Sequence, residues 1–381
     1  MKEINKKDFF DFCISENMPV ALFREPSCTS TLISCFNDKL EKNNLNNDSK
    51  GFVFAPFSKK NADTFLIAND IVLQEKLELK DSNYNIILKK YDYYLKELKD
   101  KSNLSKFYSY EKDIHNYSKI DFCEIVEKAI KTINDSKAKK IVMSRTLKVP
   151  LDNDFDIINF FEKLCEKYPK AFISIVSIPN LGTWIGATPE SLISIKNNEF
   201  ISTMAVAGTQ NYNPKISDYY WDEKDTHEHD YVVDYIKDTF EYFNIDYIKE
   251  NKDNLFIGNI VHLITRFNGK IDKNTSIIEL IYKLHPTPAV CGVEKNFAQD
   301  FIIKTEKHKR AYYSGFLGYL NLNNSSKLYV NLRCMELIKK YSVLYLGCGI
   351  VSESIPEKEW EETEKKSEIL LSVLKTKFYS K

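Results

Sequence analysis

Residues Tyr341 to Lys366 leave the chain little conformational choice. Tyr341 to Leu346 is β-branched and aromatic, the composition of a strand. Gly347 and Gly349 follow, and because neither carries a Cβ a ligand can approach the backbone closely there. Ser354 is placed to cap a helix whose first turn tolerates Pro356. On that helix Glu359, Glu362 and Lys366 recur at i, i+3 and i+7 and share one face. Two carboxylates and an ammonium beside a glycine-lined strand end are suited to hold a divalent cation and an anionic ligand together. Taken alone, the same run also reads as a solvated, charge-rich terminal helix.

The rest of the chain decides between these readings. Its 381 residues could form one large domain or two ordinary ones. No internal repeat and no long Gly/Ser/Pro linker divides them, which favours one. Lys plus Arg number 54 against 54 Asp plus Glu, so no global field draws the chain to nucleic acid or to an anionic membrane. No apolar run approaches the roughly 20 residues that span a bilayer. The start, Met1-Lys-Glu-Ile-Asn-Lys-Lys-Asp8, has no apolar core of a signal peptide, so a cytoplasmic protein is expected. The eight cysteines are scattered without a C-x-x-C pair and read as reduced thiols. His227 and His229 are the one close histidine pair, and no metal-ligand spacing includes them.

Up to about Lys112, short apolar runs (Val20 to Phe23, Gly51 to Phe57, Thr64 to Ile67) alternate with polar connections. Asn37 to Lys50 reads as a surface loop, and Ile86 to Lys101 has helical spacing with heavy charge. No chemical motif falls here, so residues 1–118 read as scaffold within the same domain as 119–381. A helix over Lys119 to Asn134 precedes the strand Lys139 to Val149, with Lys140 at its entrance. A helix from Phe155 to Lys167 leads to the strand Ala171 to Ile178. Glu190 then follows a proline between two apolar runs, an unusual place for a carboxylate unless it is paired or functional. The strand Ile201 to Gln210 ends in Gly208-Thr209, which offers a backbone N–H and a hydroxyl.

In the long helix that follows, Glu228 lies near the apolar stripe. Asn259 to Asn268 reads as a strand, and Ser276 to Leu284 and Phe297 to Glu306 as helices. Between those helices, two prolines present His285 in a fixed pose. Tyr312 to Tyr319 and Lys327 to Leu337 read as strands joined by a hairpin loop at 322–327. That places Arg333 mid-strand, a guanidinium suited to bidentate carboxylate binding.

Taken together, these residues resemble the chorismate-utilising enzymes: isochorismate, salicylate, anthranilate and aminodeoxychorismate synthases. The resemblance runs from about residue 119 to 375 and rests on seven motifs in the family's order. It implies an α+β fold, a single large domain of two extensive, mostly antiparallel sheets packed together with helices outside. It implies a general base at Lys140, in Lys140-Ile-Val-Met-Ser-Arg145, where ammonia-using members have glutamine. The general acid would be Glu190 of Thr188-Pro-Glu190. Ala207 stands where aminodeoxychorismate synthases carry a nucleophilic lysine, so no covalent adduct is implied.

Mg²⁺ would be held by Glu228 and Glu362, with Glu359 and Asp225 at supporting positions, Asp225 being shorter than the glutamate of some relatives. Gly208, Thr209, His285, Tyr313, Arg333, Gly347, Gly349 and Lys366 match positions that line the substrate. Cys348 replaces a common alanine and reads as a tolerated small residue.

The activity so implied is that of an Mg²⁺-dependent isochorismate synthase, an isomerase feeding menaquinone or siderophore biosynthesis. Water adds at ring C2 of chorismate and the C4 hydroxyl departs, which requires a base and an acid. Salicylate synthase shares the motifs and adds pyruvate elimination. A non-catalytic relative would be expected to lack Lys140 or Glu190. No P-loop or dinucleotide fingerprint supports a nucleotide-binding protein. No glutamine amidotransferase subunit is expected, and the protein would be a monomer or homodimer.

Overall fold

In the computed structural model, residues 5–35, 40–68, 71–73, 82–97, 106–216, 219–258 and 260–374 are described. Outside them lie residues 37–39 of the expected loop, 98–101 of the expected charged helix, and Asn259. The elements begin with α1 (Lys6–Ser15), β1 (Val20–Arg24), β2 (Leu32–Cys35), β3 (Glu41–Lys42), β4 (Gly51–Ala55), β5 (Phe65–Ala68), β6 (Ile71–Leu73) and α2 (Ser82–Glu97). Next come α3 (Lys119–Asn134), β7 (Lys140–Pro150), α4 (Ile157–Lys167), β8 (Phe172–Ile178), β9 (Gly182–Thr188), β10 (Ser191–Lys196), β11 (Phe200–Asn211) and α5 (Glu223–Tyr242). Then follow β12 (Asp246–Lys249), β13 (Asp253–Ile257), β14 (Ile260–Lys270), α6 (Ile277–Leu284), β15 (Gly292–Val293) and α7 (Lys295–Thr305). The chain closes with β16 (Phe316–Leu322), β17 (Ser325–Val330), β18 (Cys334–Ile338), β19 (Tyr341–Ile350) and α8 (Pro356–Leu374).

Every strand pairing is antiparallel among the described residues. The first sheet runs β15-β7-β19-β18-β9-β8-β1-β2-β6. The second runs β12-β14-β11-β10-β17-β16-β4-β5-β3, with β13 also on β14. Strands from residues 1–118 therefore extend both sheets. Aromatic side chains fill the space between them: Phe172 stacks on Tyr329 at 4.2 Å, and Trp184 meets Phe54 edge-on at 6.2 Å.

Helices cover the outer faces. The helix α4 illustrates why they form: Asp156 caps it by accepting from the Asn159 N–H (2.7 Å), and Ile157, Phe160, Phe161 and Leu164 recur at helical spacing and are buried. They pack with Phe9, Phe10 and Phe12 of α1, an additional helix in the scaffold whose cap is Asn5. α5 and α6 cover the second sheet, where Val232, Ile236 and Leu280 meet Ile193 and Ala205. The residues of the second sheet's hairpin at 322–327 turn on Asn323 and Asn324 alone, both with positive φ (49° and 56°).

Two expectations are corrected. Tyr312 and Tyr313 precede β16 rather than lying in it; Ala311 (φ 47°) and Ser314 (φ 59°) bend the chain around them. The expected strand Lys327 to Leu337 is two strands in different sheets. β17 ends at Val330, the chain crosses, and β18 starts at Cys334. Arg333 sits at the crossing with φ 49°, a left-handed conformation that no strand residue adopts. An apolar run reads as one strand in sequence because periodicity does not register a change of sheet.

Candidate active site

Strand register builds the floor of the site. On β7 and β19, Val142 opposes Gly349 and Ser144 opposes Gly347, so both glycines lie on the face that also carries Lys140. Two absent side chains leave a trough across that face. A Cβ on Gly347 would lie 2.6 Å from the Tyr313 hydroxyl and 3.0 Å from the Met143 carbonyl. A Cβ on Gly349 would collide with the Glu228 carboxylate and come within 2.9 Å of Lys140 Cε. Glu228 would have to swing away from Lys140, and parting a buried ion pair costs about 3–5 kcal/mol. Gly349→Ala is therefore expected to lower turnover at least tenfold and to lower Tm; kinetics and a melting curve matching wild type would contradict this packing.

Above the trough lies a cleft. Its walls are the 206–209 end of β11, Glu228 of α5, Glu362 and Lys366 of α8, and two short connections. Those connections are the crossings from β9 to β10 and from β17 to β18. They run side by side, since β9 pairs with β18 and β10 with β17. The Val330 N–H donates to the Glu190 carbonyl (2.9 Å) and the Ala187 N–H to the Arg333 carbonyl (3.1 Å). The Thr188 hydroxyl donates to the Val330 carbonyl at 2.6 Å. Glu190 and Arg333, 143 positions apart in sequence, are thus fixed on one double crossing.

Electrostatics give each group a distinct state. Burial pushes the Glu190 carboxyl up to about 7, against the opposing pull of Lys140, Arg333 and Lys366. Burial lowers Arg333 to about 10, and its Nη1 is buried without a hydrogen-bond partner. Tyr313 is raised to about 12 by burial and stacks on Tyr345 at 5.5 Å, which in turn stacks on Trp184 at 5.1 Å. Lys366 donates to the Gly347 carbonyl (2.9 Å) and to Glu362 Oε1 (2.7 Å). Although burial opposes it, Lys366 and Lys224 hold the Glu362 carboxyl below its ordinary range.

Lys140 is fully buried, its Nζ 3.0 Å from Glu228 Oε1 but off line for a hydrogen bond. Lys139 beside it is exposed. Glu359, 1% exposed, pairs with Lys224 at 2.7 Å and keeps Oε2 buried without a hydrogen-bond partner. Burial and the neighbouring Glu362 raise the Glu359 carboxyl.

The residues fit a hard cation in donor chemistry. Glu228, Glu359 and Glu362 all act on the ammonium of Lys224, so one compact positive charge already sits among them. The orphaned Glu359 oxygen adds acceptor capacity. Oxygen-only donors suit Mg²⁺, which binds through one or two carboxylates plus water and substrate oxygens. As they stand, no three His, Cys, Asp or Glu side chains are close enough to hold a metal among the described residues. Asp225 lies by the Gly208 backbone, its carboxyl pushed up to about 7 by burial, Asp222 and Glu228.

The cleft gathers Glu190, Gly208, Thr209, Glu228, Tyr313, Arg333, Gly347, Gly349, Glu362 and Lys366. Lys140 and Glu359 are not among its lining residues, and neither is His285. Its Nε2 lies 3.1 Å from the Pro56 carbonyl, its ring packs on Phe316, and the peptide bond to Pro286 is cis. The Cys348 side chain belongs to the core under α3, and burial raises its thiol well above the ordinary value. His229 is likewise a core residue, hydrogen-bonded to Thr265 at 2.8 Å.

A lining histidine was not anticipated. At a bulge in β11, where pairing with β14 shifts between Ala207 and Thr209 and Gly208 takes φ 77°, His262 of β14 faces the cleft. Its Nδ1 lies 2.9 Å from the Gly208 carbonyl and 3.2 Å from Thr209 Oγ1, and its Nε2 2.5 Å from Arg333 Nη2. A histidine between Val261 and Leu263 mid-strand is a sequence signal, but one indistinguishable from a satisfied core histidine.

Comparison with known proteins places this geometry. Residues 32–375 match the family described as chorismate binding enzyme. The chain is similar to isochorismate synthase EntC of Escherichia coli (strain K12), 28% identical over 260 residues that make up 66% of each chain. It is also similar to isochorismate synthase MenF of Bacillus subtilis (strain 168), 28% identical over 264 residues covering 67% of this chain and 56% of that one. The match thus spans less than two thirds of these relatives' lengths. Among solved structures, MenF, the menaquinone-specific isochorismate synthase from Escherichia coli, superimposes with a TM-score of 0.77 at 19% identity, covering 98% of this chain and 92% of that one. That likeness establishes the shared fold.

Proposed function

Because the chain belongs to the chorismate binding enzyme family, we propose that it is an Mg²⁺-dependent isochorismate synthase. One observation carries the reading: a buried carboxyl poised near 7, Glu190, faces the same cleft as a buried guanidinium with an open Nη1, Arg333. A dianionic substrate needs the second, and departure of a hydroxyl needs the first. Arg333 and Tyr313 hold the enolpyruvyl carboxylate, while the ring carboxylate lies over Gly347 and Gly349. Lys140, as the neutral amine rather than the ammonium that pairs with Glu228, accepts the proton of the water that adds at C2. Glu190 gives its proton to the C4 hydroxyl, which leaves as water. Bound Mg²⁺, held by Glu228 and Glu362 with Glu359 in support, would neutralise the ring carboxylate and polarise the ring.

Ala207 supplies no nucleophile, and an attack by water needs no ammonia-supplying subunit, so the chain works alone or as a homodimer. Among the described residues no helix is long and apolar enough to cross a membrane; with the scattered cysteines, this supports a cytoplasmic enzyme. Residues 1–118 act as scaffold within the catalytic domain, a role supported by their strands extending both sheets.

The test is incubation with chorismate and Mg²⁺ followed by chromatographic separation of products. Isochorismate is expected to accumulate; salicylate and pyruvate instead would favour the salicylate synthase reading. EDTA should abolish turnover and added Mg²⁺ restore it. Full activity after exhaustive chelation would remove Glu228 and Glu362 from the metal assignment.

A further inference from the structure

His262 lies between the Gly208–Thr209 bulge and Arg333, and nothing in the chemistry described above uses it. Its Nδ1 faces the Gly208 carbonyl at 2.9 Å. A carbonyl can only accept, so Nδ1 carries the hydrogen and donates there, with Thr209 Oγ1 at 3.2 Å beside it. Nε2 is then left with a lone pair and accepts from Arg333 Nη2 at 2.5 Å. One imidazole thereby links the β11 bulge to the crossing between β17 and β18. Arg333 needs such a restraint. It sits at a left-handed residue (φ 49°) outside either sheet, where it lines the cleft. With Nη2 engaged, the buried Nη1 is the fork position left without a hydrogen-bond partner.

We propose that His262 is a positioning residue: it fixes the Arg333 guanidinium so that Nη1 is presented to the substrate carboxylate, and it keeps the Gly208–Thr209 bulge in register with that carboxylate site. The inference rests on the chorismate reading. It assigns His262 no proton transfer; its effect is on binding, through Arg333.

The test uses the full chain and the variants His262→Ala, His262→Gln, Arg333→Ala and the double variant of His262→Ala with Arg333→Ala. Chorismate binding is followed by calorimetry, alongside kcat, KM and Tm. Loss of a hydrogen bond to a charged group should raise KM and Kd for chorismate roughly 10- to 100-fold in His262→Ala, with kcat within about threefold of wild type. Glutamine, whose amide accepts at one atom and donates at the other, should recover most of the affinity. In the Arg333→Ala background the histidine substitution should add no further loss, because its effect passes through the guanidinium.

Wild-type affinity in His262→Ala, or effects that add fully in the double variant, would overturn the proposal. So would a fall in kcat and Tm without a change in KM, the mark of a purely structural residue. Failure of the wild-type protein to bind chorismate at all would overturn the functional reading itself, which separates the two failures.

Discussion

Lys140→Ala is expected to lower kcat for chorismate at least 10²-fold, while Lys139→Ala leaves it unchanged. A positioned general base contributes roughly 10²- to 10⁴-fold, whereas an exposed lysine contributes nothing to the chemical step. The two residues are adjacent in sequence, yet Lys140 is fully buried beside Glu228 and Lys139 faces solvent. The ion pair adds a second consequence. Removing one partner of a buried pair costs about 3–5 kcal/mol, because the other charge is left uncompensated. Lys140→Ala should therefore also melt earlier than wild type.

Lys140→Gln separates the two effects. Its amide fills most of the space and can donate to Glu228, so Tm should recover in part while turnover stays down. Retention of more than a tenth of wild-type kcat by Lys140→Gln, measured with saturating chorismate and Mg²⁺, would mean that another group accepts the proton.

The second large effect belongs to Glu190. Glu190→Gln keeps the shape and removes the titratable proton, and kcat is expected to fall 10²- to 10⁴-fold. Wild type should show its dependence on this group in kcat/KM. Burial raises the carboxyl from 4.5 to about 7, so the donor form predominates below about pH 7 and is lost above it, with activity falling tenfold per unit on the alkaline side.

Stability follows the same sign. A raised carboxyl binds its proton more tightly in the folded state, so its stabilising contribution is full below about 4.5 and lost as pH rises through about 7. That change is on the order of 3 kcal/mol, and Glu190→Gln should abolish it. Denaturation midpoints for the two proteins would then converge at pH 5 and diverge at pH 8, the variant being the more stable. A wild-type alkaline limb unchanged in Glu190→Gln would transfer the acid role elsewhere.

How much of this was visible in the sequence depended on whether the signal was local. The strand-to-helix passage around Gly347, Gly349 and Pro356 is a short-range pattern, and β19 and α8 start at the residues expected, although β19 runs past Leu346 through both glycines to Ile350. Lys119 to Asn134 forms a helix at its expected bounds because Ser118 and Asp121 make a capping box that the sequence displays. The placement of Glu190 after a proline between strands was legible for the same reason. Arg333 was not, since its geometry follows from a change of sheet within an apolar run, and that is decided by pairing with β9 and β10 far away.

His262 escaped because its partners, Gly208 and Arg333, lie 54 and 71 positions away. For His285 the sequence indicated a rigid loop correctly, but not that the ring would turn to the Pro56 carbonyl. Lys224, whose ammonium stands among three acidic side chains, carried no signal that distinguishes it from the many lysines of a charged helix.

The double crossing beneath Glu190 and Arg333 also bears on how the molecule comes apart. Each sheet hands strands to the other at that point, so neither can melt while its neighbour persists. The amino-terminal strands occupy positions in both layers and offer no independently stable fragment. Heat and denaturant should thus produce one sharp transition, with tryptophan fluorescence and far-ultraviolet dichroism changing together. Assembly, by contrast, should be slow, because pairs such as β1 with β8 and β4 with β16 bring together segments separated by about 150 and about 265 residues and must form before either layer is complete.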